Sequence, residues 1–356
     1  MTANEELMPN EWNDEGMFSD YYKLAYNKVK NMTLDKKIAQ ILLVRYPDSN
    51  GIDLLKKYQF GGYIFFTKDF TGKTKNQIIE MMNDLQKQVN IPILTAVDEE
   101  GGKVVRISNN INLANNPFKS PSTLYKESGF NLIKSDTIKK STLLKSLGIN
   151  LNLAPVIDVV TDSSAYMYDR SLQEDTELTS EYAKTVIEAS RNTLVSYTLK
   201  HFPGYGNNAD THTGCTTDTR SYDEIFASDF PPFDAGIKAG VEAVLVSHNT
   251  VTDIDGDNPA SLSPNVHNLL RNQLDFTGII ITDDLSMNAV SNITDASVKA
   301  ILAGNDLIIS TNYEKDIRDI KNAINNGTLT ENTIEKLATR VIAWKYYKGL
   351  LFENQK

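Results

Sequence analysis

The run GIIITD at 278–283, followed at once by Asp284, reads as a strand that is apolar on both faces and ends on carboxylates. A strand with one wet face alternates apolar and polar residues. A continuous Val/Ile/Leu run instead marks a parallel sheet covered on both sides. Seven further runs have the same β-rich, apolar character, near 39–45, 61–66, 92–98, 150–157, 195–200, 241–247 and 305–310. Segments with helical spacing separate them. TKNQIIEMMNDLQKQV (74–89) has Thr74 as a candidate N-cap, and TSEYAKTVIEASRN (179–192) has Thr179 or Ser180. Others lie at 133–146, 264–274 and 296–303, and TLTENTIEKLATRVIAWKYYKG (328–349) closes the chain as an amphipathic helix.

Eight β-then-α units predict an α/β fold of the closed (β/α)8 TIM type, in a single domain. A doubly wound open sheet is the alternative, but no Gly-rich dinucleotide loop opens a helix after the first strand. The expected organisation is a polar leader over 1–30 and a barrel with its C-terminal helix over 31–356.

A chain of 356 residues with 40% hydrophobic content can bury one large core. Its net charge of −10 argues against a grip on nucleic acid or an anionic membrane surface. No run of about 18 apolar residues offers a bilayer span. The single cysteine, Cys215, excludes an internal disulfide and a cysteine metal cluster. It reads as a small loop residue rather than a reactive thiol. The start, MTANEELMPNEWNDEGMFSD, is acidic and has no apolar signal core. Such a stretch resembles the stub behind a processed export signal, so a secreted or cell-envelope location is expected over a cytoplasmic one.

Chemistry collects where a barrel places it, at the C-terminal ends of the strands. Asp98 ends the third strand, Lys200-His201 the fifth, Ser247-His248-Asn249 the sixth and Asp283-Asp284 the seventh. Each alone could be a cap or a solvated loop residue; together they would meet around one mouth. Successive strand side chains point to opposite faces, so only one of Asp283 and Asp284 can aim inward, and spacing does not choose between them. The inward carboxylate could serve as nucleophile, base or electrostatic stabiliser.

In the loop after the fifth strand, Gly204, Gly206 and Pro203 break regular structure. Asp210 and His212, two residues apart, could form a carboxylate-backed imidazole able to pass a proton near neutral pH, or could simply stabilise the loop. His201 is either a satisfied core histidine or a ligand for a substrate hydroxyl. Lys200 beside it would be costly to bury without partners, which favours a polar pocket. Arg106 and Arg170 are surface arginines or forked donors gripping a polar substrate.

Five segments carry a resemblance: VDEEGGKVVR (97–106), DRSLQED (169–175), KHFPGYGNNADTH (200–212), SHN (247–249) and ITDDLSM (281–287). The chain resembles the N-terminal barrel of glycoside hydrolase family 3, in particular its β-N-acetylglucosaminidases, from about Met32 onward. The resemblance implies a retaining exo-β-N-acetylglucosaminidase with Asp283 as nucleophile and His212, backed by Asp210, as acid/base. It implies that Asp98, Arg106, Arg170, Lys200 and His201 hold the terminal N-acetylglucosamine. The implied substrates are cell-wall muropeptides or chitin-type oligosaccharides, with no metal or cofactor. A phosphorylase of the same fold is the alternative activity, because a histidine repels an incoming phosphate less than a carboxylate does. A catalytically inactive carbohydrate-binding barrel is the other. The sequence departs from the family pattern at Tyr205 and Asn207, where a second histidine and an aspartate are usual, and at Leu172-Gln173 in place of Phe-Gly. Its loop before the Asp-x-His pair is also about one residue shorter.

Overall fold

The computed structural model describes residues 8–352. Eight strands form one sheet: β1 Leu42–Arg45, β2 Gly62–Ile64, β3 Leu94–Val97, β4 Leu151–Asn152, β5 Ser196–Phe202, β6 Ala243–Val246, β7 Ile279–Thr282 and β8 Ile308–Ser310. Every pairing within it is parallel, in the order β8-β1-β2-β3-β4-β5-β6-β7. The two ends meet through a parallel bridge between Ile281 and Leu307. There the Leu307 N–H donates to the Ile280 carbonyl at 3.1 Å and the Thr282 N–H to the Leu307 carbonyl at 3.1 Å. The ring is closed, so the sheet has no edge, and the open-sheet alternative falls away. Each of the eight apolar runs of the sequence overlaps one of these strands, β5 extending two residues past its run to Phe202. Their residues are buried on both faces because alternate side chains fill the barrel and the helix layer.

The helices lie where the spacing placed them, with informative differences at their ends. Lys75–Gln86 starts at Thr74 in a capping box: the Gln77 side chain accepts from the Thr74 N–H at 2.8 Å, and the Thr74 hydroxyl accepts from the Gln77 N–H. The helix expected to start at Thr179 or Ser180 instead runs Thr176–Ser190 and is capped by Asp175, whose carboxylate accepts from the Leu178 N–H at 2.9 Å. Ser180 lies inside the helix and returns its hydroxyl to the Thr176 carbonyl at 2.6 Å. The segment 133–146 is the second half of Pro121–Ser146, which bends at Ser128 and Gly129. A short parallel pair, Thr217–Asp218 with Thr250–Val251, lies outside the barrel and had no sequence signal.

The stretch 1–30 was expected as a polar leader. Its first seven residues lie outside the described ones. In the remainder, Trp12, Phe18, Tyr22, Ala25, Tyr26 and Val29 are buried. Tyr22–Val29 packs on the C-terminal helix Glu331–Tyr347, with Tyr21 stacked on Tyr346 at 6.4 Å. Apolar residues spaced among charges hid this face from a reading by composition.

Beneath the barrel, Arg340 of that helix donates to Asp306 Oδ1 at 2.8 Å, to the Tyr22 hydroxyl at 2.7 Å and to the Thr277 carbonyl at 2.9 Å. Asp306 Oδ2 accepts from Arg271 at 2.6 Å and from the Ile280 N–H of β7 at 2.8 Å. Burial acts to raise the Asp306 pKa, but the two guanidiniums outweigh it and hold the group below the ordinary carboxyl range. Removing one partner of a buried charge network strands the others. Asp306→Ala should therefore lower unfolding stability by about 3–5 kcal/mol. Urea unfolding followed by tryptophan fluorescence measures this, and a loss under about 1 kcal/mol would contradict the network's role.

Candidate active site

The C-terminal ends of the strands open into a cavity of about 310 Å³. Asp98, Arg106, Arg170, Lys200, His201, His212 and Asp283 all line it, and Asp210 stands behind His212. Residues named separately along the sequence thus share one mouth.

A charge network forms one wall. Lys200, 3% exposed, places its ammonium 2.8 Å from Asp98 Oδ1 and 2.7 Å from Glu100 Oε1. Glu100, 2% exposed, also receives Arg170 in a fork, Nε to Oε2 at 2.9 Å and Nη2 to Oε1 at 2.7 Å. Burial opposes the charges of Glu100, Arg170 and Lys200, and the attraction of their partners prevails. Glu100 is held well below the carboxylate range by Arg170 and Lys200, and Lys200 is raised by Asp98 and Glu100. Arg170 spends two of its donors on Glu100 and keeps Nη1, 3.4 Å from the Tyr166 hydroxyl.

The loop carrying Arg106 is wound around a second buried carboxylate. Glu99 accepts the N–H groups of Arg106 at 2.7 Å, Ile107 at 2.8 Å and Ser108 at 3.2 Å. Gly101 and Gly102 make the turn with φ of +107° and +66°, conformations that side chains rarely adopt. Arg106 emerges over the Phe66 ring at 5.3 Å, with Nη2 3.5 Å from Asp98. Its Nε is buried without a protein partner, so it has a donor to spare.

On β5 the pairing with β6 slips between Lys200 and Phe202. Strict alternation would send Lys200 and His201 to opposite faces; across this bulge both line the cavity. The peptide between them is cis. His201 Nδ1 lies 2.8 Å from Asp158 Oδ2. A carboxylate only accepts, so Nδ1 carries the proton and Nε2 is left for the cavity. Asp158 also accepts the backbone N–H of Tyr205 at 2.8 Å.

The structure separates the two aspartates after β7. Asp284 turns toward its own loop, where its carboxylate accepts from the Ser286 N–H at 2.8 Å and the Thr311 hydroxyl at 2.7 Å. Its carbonyl takes His248 Nε2 at 3.0 Å, and His248 Nδ1 accepts from Ser261 at 2.7 Å. Both nitrogens of His248 are occupied, and burial pushes its pKa down. It is a support rather than a free base. Asp283 keeps one oxygen on the Asp284 N–H at 2.8 Å; both aspartates line the cavity, but the Asp284 carboxylate is engaged by Ser286 and Thr311. Enclosure acts to raise its pKa. The imidazoles of His248 and His201, the Asp284 N–H and the Lys200 ammonium outweigh this and lower it.

His212 sits on the irregular loop after β5, with its side chain 58% exposed. Nδ1 is 2.7 Å from Asp210 Oδ1, which also accepts the His212 N–H at 2.9 Å. The loop begins at Gly204, with φ +127°, where a Cβ atom would lie 2.1 Å from the Asp229 carboxylate. The Asp-x-His pair is thus a formed contact, and His212 lines the cavity.

Sequence reading missed Asp158, Glu99 and Glu100. The first had no neighbouring motif, and an acidic pair before two glycines looks like a solvated turn. Among the described residues, no cluster of three or more His, Cys, Asp or Glu could hold a metal ion.

The lowered pKa of Asp283 has a stability consequence. Its ionised form is favoured by folding, so its contribution is complete above the unfolded value of 3.8 and is lost as pH falls through the folded one. Asp283→Asn should show a shallower acid limb than the parent between about pH 5 and pH 2.5 in denaturant midpoints. Parallel limbs would contradict the assignment.

Residues 33–344 match the glycosyl hydrolase family 3 N terminal domain. A beta-hexosaminidase of Haemophilus influenzae is 30% identical over 287 residues, covering 79% of this chain and 80% of its own. A beta-hexosaminidase of Xylella fastidiosa is 30% identical over 247 residues, covering 68% and 72%. Among solved structures, a family 3 beta-N-acetylglucosaminidase from Paenibacillus sp. superposes with a TM-score of 0.82 at 26% identity. That alignment covers 91% of this chain but only 65% of the Paenibacillus chain. The barrel, the mouth it builds and these likenesses agree: the chain belongs to glycosyl hydrolase family 3 and is a glycoside hydrolase.

Proposed function

We propose that this enzyme is a retaining exo-β-N-acetylglucosaminidase. One observation carries the reading: a carboxylate oxygen of Asp283 and the Asp210-backed imidazole of His212 line the same cavity. The cavity is at the small end of ligand pockets, which suits a single terminal sugar. Relatives named beta-hexosaminidase support an N-acetylglucosamine-containing substrate. Cell-wall muropeptides and chitin-type oligosaccharides are the natural candidates, with turnover of peptidoglycan fragments as the proposed setting.

In this reading Asp98, Arg106, Arg170, Lys200 and His201 hold the sugar through its hydroxyls and acetamido group. Asp283 attacks the anomeric carbon as the C1–O bond to the leaving group breaks. Protonated His212 gives its Nε2 proton to the departing oxygen, while Asp210 keeps Nδ1–H in place and stabilises the imidazolium. A water then attacks C1, neutral His212 takes its proton, and Asp283 is released. Two displacements return the original anomeric configuration. The scheme uses histidine where most glycosidases use a second carboxylic acid.

The reading is tested with N,N′-diacetylchitobiose and an activated aryl N-acetylglucosaminide, in buffers with and without phosphate. Free N-acetylglucosamine is expected in both; a sugar 1-phosphate as the main product would assign a phosphorylase. Asp283→Ala should lower kcat by about 10⁴-fold or more while N-acetylglucosamine still binds by calorimetry. Turnover near the parent rate would refute Asp283 as nucleophile. His212→Ala should lower kcat/KM on chitobiose by about 10²–10⁴-fold and spare the aryl substrate, which needs no proton to leave. Equal losses on both would remove His212 from the acid role.

A further inference from the structure

The loop that carries Asp210 and His212 has no strand pairing of its own, yet one side chain crosses it. Tyr205 is 1% exposed and packs with Val160 and Met167. Its backbone N–H is fixed by Asp158, the same carboxylate that holds His201, and its ring meets His201 edge-on at 5.5 Å. At the other end, its hydroxyl donates to Thr211 Oγ1 at 2.8 Å and accepts the Thr211 N–H at 2.9 Å. Thr211 is buried and stands between Asp210 and His212. The hydroxyl therefore has both a donor and an acceptor in place, at the one residue flanked by the two members of the dyad.

We infer that Tyr205 is a positioning residue: its hydroxyl, clamped on Thr211, sets where His212 stands relative to Asp283. The inference rests on the reading of His212 as acid/base given above. The loop is also held near its ends, by Asn249 Nδ2 on the Gly204 carbonyl at 3.4 Å and Cys215 Sγ on the Ala289 carbonyl at 3.5 Å, and at the surface by the Asp162 N–H on Asn207 at 3.3 Å, while the Tyr166 ring lies 6.3 Å from that of His212. The hydrogen bonds nearest the dyad are local: Asn208 Nδ2 to the Tyr205 carbonyl at 2.9 Å and the Thr213 N–H to the Asp210 carbonyl at 3.2 Å. Neither connects the dyad to the barrel. The clamp does, through Asp158, so the imidazole that would give the proton and the imidazole that would hold the sugar share one anchor. Without the hydroxyl, the buried Thr211 N–H loses its partner and the loop must move to regain one. Displacement of about 1 Å is enough to cost about 10²-fold in a step that depends on alignment.

Tyr205→Phe keeps the packed ring and removes only the clamp. On N,N′-diacetylchitobiose it should lower kcat/KM by about tenfold to a hundredfold, within the range general acid catalysis supplies. On the activated aryl glycoside the loss should be under about threefold, because that leaving group departs unprotonated. A purely structural role would lower both substrates alike. Parent protein and His212→Ala are measured beside it. If the parent is inert or His212→Ala is unselective, the acid/base reading fails first, and the Tyr205 inference fails with it. If His212→Ala is selective but Tyr205→Phe shows equal losses or none, the Tyr205 inference alone is overturned. Should Tyr205→Phe yield no folded protein, Thr211→Val decides. It removes one of the two clamp bonds, and a smaller but still leaving-group-dependent loss supports the clamp, whereas a uniform loss or none overturns it.

Discussion

The mouth of this barrel depends on the burial of one ammonium group. Lys200, near the end of β5, is almost without solvent, a placement that costs several kcal/mol unless anions replace the lost water. Asp98 at the tip of β3 and Glu100 just beyond it supply them, and Arg170 from the loop after β4 balances the second carboxylate. Three neighbouring strand ends are thereby tied by charge across a gap that side-chain packing leaves open. The wall is rigid and polar, with directed donors facing inward. A substrate entering it exchanges hydrogen bonds with water for others already in position, which is how an electrostatic site gains over solvent.

Opposite that wall, the two groups that would do the chemistry occupy different surroundings. Asp283 lies in the mouth, its carboxylate kept charged by the neighbouring imidazoles, the Lys200 ammonium and a backbone N–H. His212 lies at the rim on a loop, more than half exposed. A nucleophile works best where its target is fixed and water is excluded. A proton donor to a leaving group must stand where that group departs. In the proposed mechanism the scaffold would deliver the first from just past a strand end and the second from a loop, the usual division between rigid frame and functional loop.

The barrel was legible because eight both-sided apolar runs demand cover on both faces, and each run overlaps an observed strand. Asp98, Lys200, His201 and Asp283 were legible as polar residues at the ends of such runs. What escaped the sequence was tertiary. Both Asp283 and Asp284 line the cavity, and what distinguishes them is Thr311 and Ser286, which engage the Asp284 carboxylate from further along the chain. Lys200 and His201 share a face only because β5 slips against β6. Asp158 acts on residues 43 and 47 positions away, a distance no local pattern reports. The N-terminal segment looked polar by composition, yet it presents Phe18, Tyr22 and Val29 to a helix some 320 residues later, as the bond between Tyr22 and Arg340, 318 apart, makes plain.

In the proposed mechanism Asp283 forms a covalent bond to the anomeric carbon. The most direct measurement is peptide mass spectrometry after incubation with a fluorinated N-acetylglucosaminide whose glycosyl-enzyme is long-lived. The account predicts one added sugar on the peptide spanning the end of β7, with fragmentation placing it on Asp283. A sugar on Asp284 or on any other side chain, or turnover with no adduct at all, would contradict it.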